Sequence, residues 1–189
     1  MTDTYIFDLD DTLIDNAIFR RMYNELVTRI VSEIGVSEID LQIKITKLKN
    51  ETGKIDTFEL CKNIGCLELY YEILEKYVRL TFTMNNPGIP ALFKKIKKEN
   101  KRIGIASGFP EKTIKLFLER FDLMRHVDFL ESGKKDTVYF WMTVERKHAI
   151  DKTSALVIDD SDEILEVAKN TGYKVLNIKK IESIESFKL

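Results

Sequence analysis

Several classes of protein are excluded by what this chain of 189 residues lacks. Two cysteines, Cys61 and Cys66, are too few for a disulfide framework and fit reduced thiols in a cytoplasmic protein. With two histidines, His126 and His148, far from both cysteines in sequence, a Cys/His zinc site is short of ligands. No run of about 18 apolar residues occurs, so no membrane-spanning helix is expected. The start, Met1-Thr2-Asp3-Thr4, has no basic stretch before an apolar one, and no signal peptide is expected. Excess charge of one sign is missing too. Thirty Lys and Arg against 31 Asp and Glu leave a net charge of −1. That gives no bulk positive field for nucleic acid or an anionic membrane. Eight glycines and three prolines leave few tight turns and favour long regular elements.

What remains is enough for a core: 44% of the residues are hydrophobic. Thr4-Tyr5-Ile6-Phe7 reads as a short buried strand ending at Asp8. From Phe19 to Ile34 the apolar residues recur every three or four positions, the stripe of a long helix that stops at Gly35. Further helices are expected over about 38–48, from an Asp56 cap to Gly65, and from Leu67 to about Met84. Tyr70, Tyr71 and Tyr77 have helical spacing and read as packing.

Asn85-Asn86-Pro87-Gly88 is the clearest break. Beyond it, strands over 102–106, 127–130, 155–158 and 174–178 alternate with helices, and residues 181–189 read as a short helix. Such alternation predicts βαβ units and a parallel sheet. Residues 1–15 and 88–189 thus form an α/β core, with helices on both faces of the sheet. Residues 16–87 form an inserted helical domain. Trp141 is expected to pack its helix onto the sheet.

Ligands bind such sheets at loops on the carboxyl ends of the strands, and four of those loops carry reactive groups. Asp8 and Asp10, two apart, can point into one crevice; two carboxylates held close need a cation or a shared proton. Ser107 and Gly108 precede a helix and suit a phosphate oxygen. Gly133-Lys134-Lys135-Asp136 offers a lysine to neutralise carboxylates and hold a phosphoryl group, and either lysine could serve. Asp159 and Asp160 follow a strand. Carboxylate oxygens without thiolate or imidazole suit Mg²⁺. Each loop alone is equally well read as a turn, a helix cap or a solvated charge pair. Their order along the chain is more specific.

That order resembles the haloacid dehalogenase superfamily of phosphohydrolases, across essentially the whole α/β core. Asp8-Leu9-Asp10-Asp11-Thr12 matches its DxDxT signature, with Ser107, a lysine and Asp159-Asp160-Ser161 as the later motifs. The resemblance of Gly133–Phe140 to the family's GKPDPxxF segment points to Lys134, and residues 16–87 sit where members carry a helical C1-type cap. The resemblance implies a Rossmann-like fold and a Mg²⁺-dependent phosphatase acting on a small phosphorylated metabolite. Asp8 is then the nucleophile and Asp10 the general acid/base. Thr12 organises the loop. Ser107, Gly108 and Lys134 hold the phosphoryl group. Asp8, Asp159, Asp160 and the Asp10 carbonyl bind the metal. Dehalogenases lack the acid at the Asp10 position, since a halide leaves without a proton. One departure stands out: where many members place a further acid, this chain has Ile164. Lys54, in the loop 51–56, is the candidate for touching substrate. A phosphomutase and a non-catalytic binding protein are the alternative readings. A cytoplasmic monomer or homodimer is expected, with no nucleic-acid or membrane partner.

Overall fold

The computed structural model describes residues 2–53, 55–80 and 84–180. It divides into two compact units: the described residues up to Asp15 with those from Met84 onward, and the described residues of Asn16–Thr83.

The first unit is built on five parallel strands, β1 (Thr4–Phe7), β2 (Arg102–Ser107), β3 (Phe129–Ser132), β4 (Ala155–Asp159) and β5 (Lys174–Asn177). Their order is β3-β2-β1-β4-β5. The chain fills one side of β1 and then crosses to the other, so β1 is central and its carboxyl end lies at the point where the order reverses. Parallel strands covered on both faces read as continuous apolar runs, and all four residues of β1 are buried. Ile6, Ala106 and Val157 join a core with Trp141 and Val144 of α7 (Val138–His148) and with Leu165 and Ala168 of α8 (Asp162–Asn170). Phe7 turns the other way, its ring 5.0 Å from Phe93 of α5 (Ile89–Lys98). Trp141 is fully buried, as its place in the sequence leads one to expect. Gly104 is required by its neighbour across the sheet: a Cβ there would sit 2.0 Å from the Phe129 ring.

The second unit is helical among its described residues. It holds α1 (Ala17–Arg29), a wider π-helical turn (Ile30–Ile34), α2 (Glu38–Thr52), α3 (Thr57–Ile64) and α4 (Leu67–Leu80). Gly35, Gly53 and Gly65 close helices in left-handed conformations, with φ of 77°, 74° and 85°, where a Cβ is disfavoured. Asp56 caps α3 by accepting from the Phe58 and Glu59 amides.

The structure moves three of the expected boundaries. The α/β unit takes up again at Met84 rather than at 88. Met84 bridges to Ile14, and the Asn85 amide donates to the Leu13 carbonyl, tying this stretch to the α/β unit. The third strand starts two residues later than its apolar pattern implies. A 3-10 turn, Met124–His126, precedes it, and the Asp128 carboxylate is used to accept from the Ile103 amide. The second helix runs past 48 to its Gly53 cap. The expected helix over 181–189 falls outside the described residues.

Candidate active site

Every strand of the sheet ends near a polar side chain: Asp8 just past β1, then Ser107, Ser132, Asp159 and Asn177. Asp8 continues the ladder beyond β1, its amide donating to the Ile158 carbonyl at 2.9 Å. That backbone bond places the Asp8 carboxylate level with Asp159 on the next strand. Both are almost wholly enclosed, with side-chain exposures of 4% and 2%. Two enclosed carboxylates side by side would repel each other strongly, and here a lysine lies between them. Lys135 Nζ is 2.5 Å from Asp8 Oδ1 and 2.6 Å from Asp159 Oδ2.

The electrostatics follow from this arrangement. Burial pushes the Asp8 carboxyl well above the ordinary carboxylate range; Lys135 opposes the rise and Asp159 adds to it. Burial pulls the Lys135 ammonium down, but the charges of Asp8 and Asp159 outweigh it, and the net shift is upward. Lys135 is therefore firmly cationic.

The lysine expected at position 134 is corrected by this geometry. Lys134 is exposed, and its carbonyl accepts from the Thr137 hydroxyl that opens α7. The Lys135 carbonyl instead receives the indole Nε1 of the buried Trp141 at 2.8 Å. This bond holds the backbone at Lys135, whose side chain reaches the two acids. Neither proline of the family's GKPDPxxF segment is present to fix the register from sequence, and the choice between the adjacent lysines is read from the ion pairs of Lys135.

Asp8, Asp159 and Asp160 each offer an oxygen within 4.8 Å of the others. An oxygen-only carboxylate set fits a hard divalent cation, and three converging acids are compatible with one. Asp160 is also held by Lys179 at 2.6 Å. Asp159 accepts from the Ser161 amide, which shapes the loop before Ser161 caps α8. Asp10 is half-buried and its carboxylate is not part of this trio. Just after Asp10 the chain turns sharply: Asp11 takes a φ of 52°, a conformation that aspartate tolerates better than most residues. Its carbonyl is held by Asn85 Nδ2 at 2.6 Å. Thr12 is buried, and its hydroxyl has no hydrogen-bond partner among the described residues.

Ser107 is fully buried, and its Oγ accepts from the Phe109 amide at 3.2 Å. Gly108 is exposed with open space around it, ahead of α6 (Glu111–Arg120). Ser132, unnoticed in the sequence, donates to the Phe109 carbonyl at 2.6 Å and pins this loop. Asn177 was missed as well. Both lie at strand ends, as Ser107 and Asp159 do, and that position was the available signal. Lys54 lies outside the described residues.

The family model for haloacid dehalogenase-like hydrolases matches residues 5–178. The chain belongs to that family of hydrolases. It is 23% identical over 180 residues to a phosphorylated carbohydrates phosphatase of Thermotoga maritima, covering 90% of this chain and 82% of that protein. Its fold is similar to that of CbbY from Rhodobacter sphaeroides in complex with xylulose-1,5-bisphosphate (TM-score 0.68, 14% identity, 99% of this chain and 90% of the other). It is also similar to that of a 2-haloacid dehalogenase from Pseudomonas syringae (TM-score 0.65, 17% identity, 94% and 86%). At such identities the likeness carries the fold alone, and a shared fold does not fix the chemistry. No helix among the described residues is long and apolar enough to cross a membrane.

Proposed function

We propose that this protein is a Mg²⁺-dependent phosphatase that hydrolyses a small phosphomonoester through a phosphoryl group carried on Asp8. The observation that carries the reading is the Asp8–Lys135–Asp159 arrangement at the end of the central strand. It supplies a carboxylate oxygen on a rigid strand end with a fixed cation beside it. Asp10 favours phosphate over halide chemistry, because an alkoxide leaves poorly without a proton.

In the first step an Asp8 oxygen attacks phosphorus in line, and the phosphorus–oxygen bond to the leaving alcohol breaks. Protonated Asp10 gives its proton to that oxygen. In the second step Asp10 takes a proton from water as the water oxygen attacks the same phosphorus. The bond to Asp8 then breaks and inorganic phosphate is released. Lys135 offsets charge on the transferring group throughout, where an enclosed site makes such a charge count most. Ser107 and the Gly108 amide hold the remaining oxygens, and Thr12 supports the turn. Asp8, Asp159, Asp160 and the Asp10 carbonyl are the groups that would hold Mg²⁺. When bound, the metal supplies positive charge that offsets repulsion between an anionic nucleophile and an anionic phosphate. The sugar-phosphate names among the similar proteins favour phosphorylated carbohydrates as the first esters to try.

The test is phosphate release from a panel of small phosphate esters, with and without Mg²⁺, for wild type and Asp8→Asn. Metal-dependent release that vanishes in Asp8→Asn supports the reading. Turnover that survives in Asp8→Asn contradicts it. Transfer of the phosphoryl group between positions of one sugar, with no free phosphate, would identify a mutase instead.

A further inference from the structure

The trio of carboxylates is shared between two lysines, and the roles of the two are unlike. Lys135 reaches Asp8 and Asp159 from an enclosed position. It leaves Asp160 untouched. Asp160 is instead held by Lys179, at 2.6 Å from Oδ2, and Lys179 is 63% exposed while Asp160 is 18% exposed. Three carboxylates thus face two ammonium groups.

An exposed lysine usually wanders, and a surface pair usually means little. This one is positioned by its backbone. Asn177, at the end of β5 and in register with Asp159, is buried. Its Nδ2 donates to the Asp160 carbonyl at 3.3 Å and to Asp162 Oδ1 at 2.9 Å. Its Oδ1 accepts from the Lys179 amide at 2.9 Å. One buried side chain therefore clasps the acidic loop on one side and the lysine's own backbone on the other. Lys179 is anchored against the residue that it neutralises.

We infer that Lys179 is an internal counter-cation of the metal site, whose ammonium competes with a divalent cation for Asp160 and so lowers the site's affinity for metal. The inference rests on the proposal that Asp8, Asp159 and Asp160 hold such a cation. A metal arriving at Asp160 meets an ammonium on the same carboxylate, a repulsion that survives solvent at separations of a few ångströms. The Ile164 position, apolar in this chain, adds no acid to compensate. Lys179 is a positioning residue, and it tunes binding without touching the reacting atoms.

The test is direct Mn²⁺ binding to the metal-free protein, read by the loss of the free-ion paramagnetic signal, with no substrate and no turnover. Lys179→Gln keeps length and polarity but removes the charge. It is expected to bind Mn²⁺ about three- to tenfold more tightly than wild type. Lys179→Arg, which keeps the charge, is expected to stay close to wild type. Raising the salt is expected to narrow the gap between wild type and Lys179→Gln. Equal or weaker binding by Lys179→Gln, in protein whose metal-free melting temperature matches wild type, overturns the inference while leaving the metal site standing. If wild type, Lys179→Gln and an Asp160→Asn control all fail to take up Mn²⁺, the metal reading falls, and this inference with it.

Discussion

The two units of this protein treat charge in opposite ways. Among the described residues, the helical unit buries Ile18, Met22, Leu26, Tyr70, Ile73 and Leu74, and the one buried polar residue in it is Thr57. Its ion pairs are outside: Arg29 with Glu33 and Glu72, and Lys76 with Glu25. The α/β unit encloses Asp8 and Asp159 together with Ser107 and Asn177, all at or just past strand ends, and Thr12 in the loop after β1. Enclosing a carboxylate costs several kcal/mol unless it is paired. A fold maintains that cost where the group has chemical work, and the same buried groups are where function is expected.

The largest effect is expected from removing the cation between the enclosed acids. Lys135→Ala should lower turnover by about two orders of magnitude or more and lower the melting temperature of the metal-free protein, because Asp8 and Asp159 are then left facing each other. Lys134→Ala should stay within about twofold of wild type. Steady-state rates and thermal melts of the pair check both; equal loss in the two would break the assignment to Lys135.

Next in size is the cost of Asp8 itself. Because its folded pKa lies above the ordinary value of 3.8, its ionisation disfavours folding. The penalty is absent below that value and grows as pH rises from it toward the raised one. Asp8→Asn should therefore be inactive yet more stable than wild type at neutral pH without metal, by about 1–3 kcal/mol. The difference should shrink as the pH is lowered through the carboxylate range. Denaturant melts at several pH values read it, and a destabilised Asp8→Asn would contradict the picture.

Glu131 is a milder case in the same unit. Burial pushes its carboxyl up, but Lys147 and His148, both on the same oxygen, bring the net shift below the usual value. Its stabilisation is present above that value and lost as pH falls through the lower folded one. Glu131→Gln should cost about 0.5–1 kcal/mol at neutral pH and close to nothing in acid. In the helical unit, Arg29→Ala should cost no more than about 0.5–1 kcal/mol, as exposed pairs do. A loss there as large as that of Lys135→Ala would erase the contrast between the units.

The legible parts of this sequence were those governed by local rules. Apolar period marked the strands, and Gly35, Gly65 and Asp56 marked helix ends, because caps and left-handed positions select few residue types. Asp8, Ser107, Asp159 and Asp160 were legible because they follow strands in a recognisable order. The choice between Lys134 and Lys135 was not, since the acids that single out Lys135, Asp8 and Asp159, are distant in sequence and meet it only in the folded sheet. The start of β3 was hidden because Asp128 spends its side chain on the neighbouring strand. Lys179 and Asn177 were invisible for a related reason: their partner loop, at 160–162, is distant in sequence and meets them only once β4 and β5 pair.

The most direct test is to trap the phosphoryl group. In Asp10→Asn the second step should slow more than the first with an ester of a good leaving group, so acid quenching of that variant should leave phosphate on the protein. Peptide mapping is expected to find it on Asp8, as an acyl phosphate that hydroxylamine releases. Turnover of the same ester by wild type with the label on another residue would contradict Asp8 as the nucleophile.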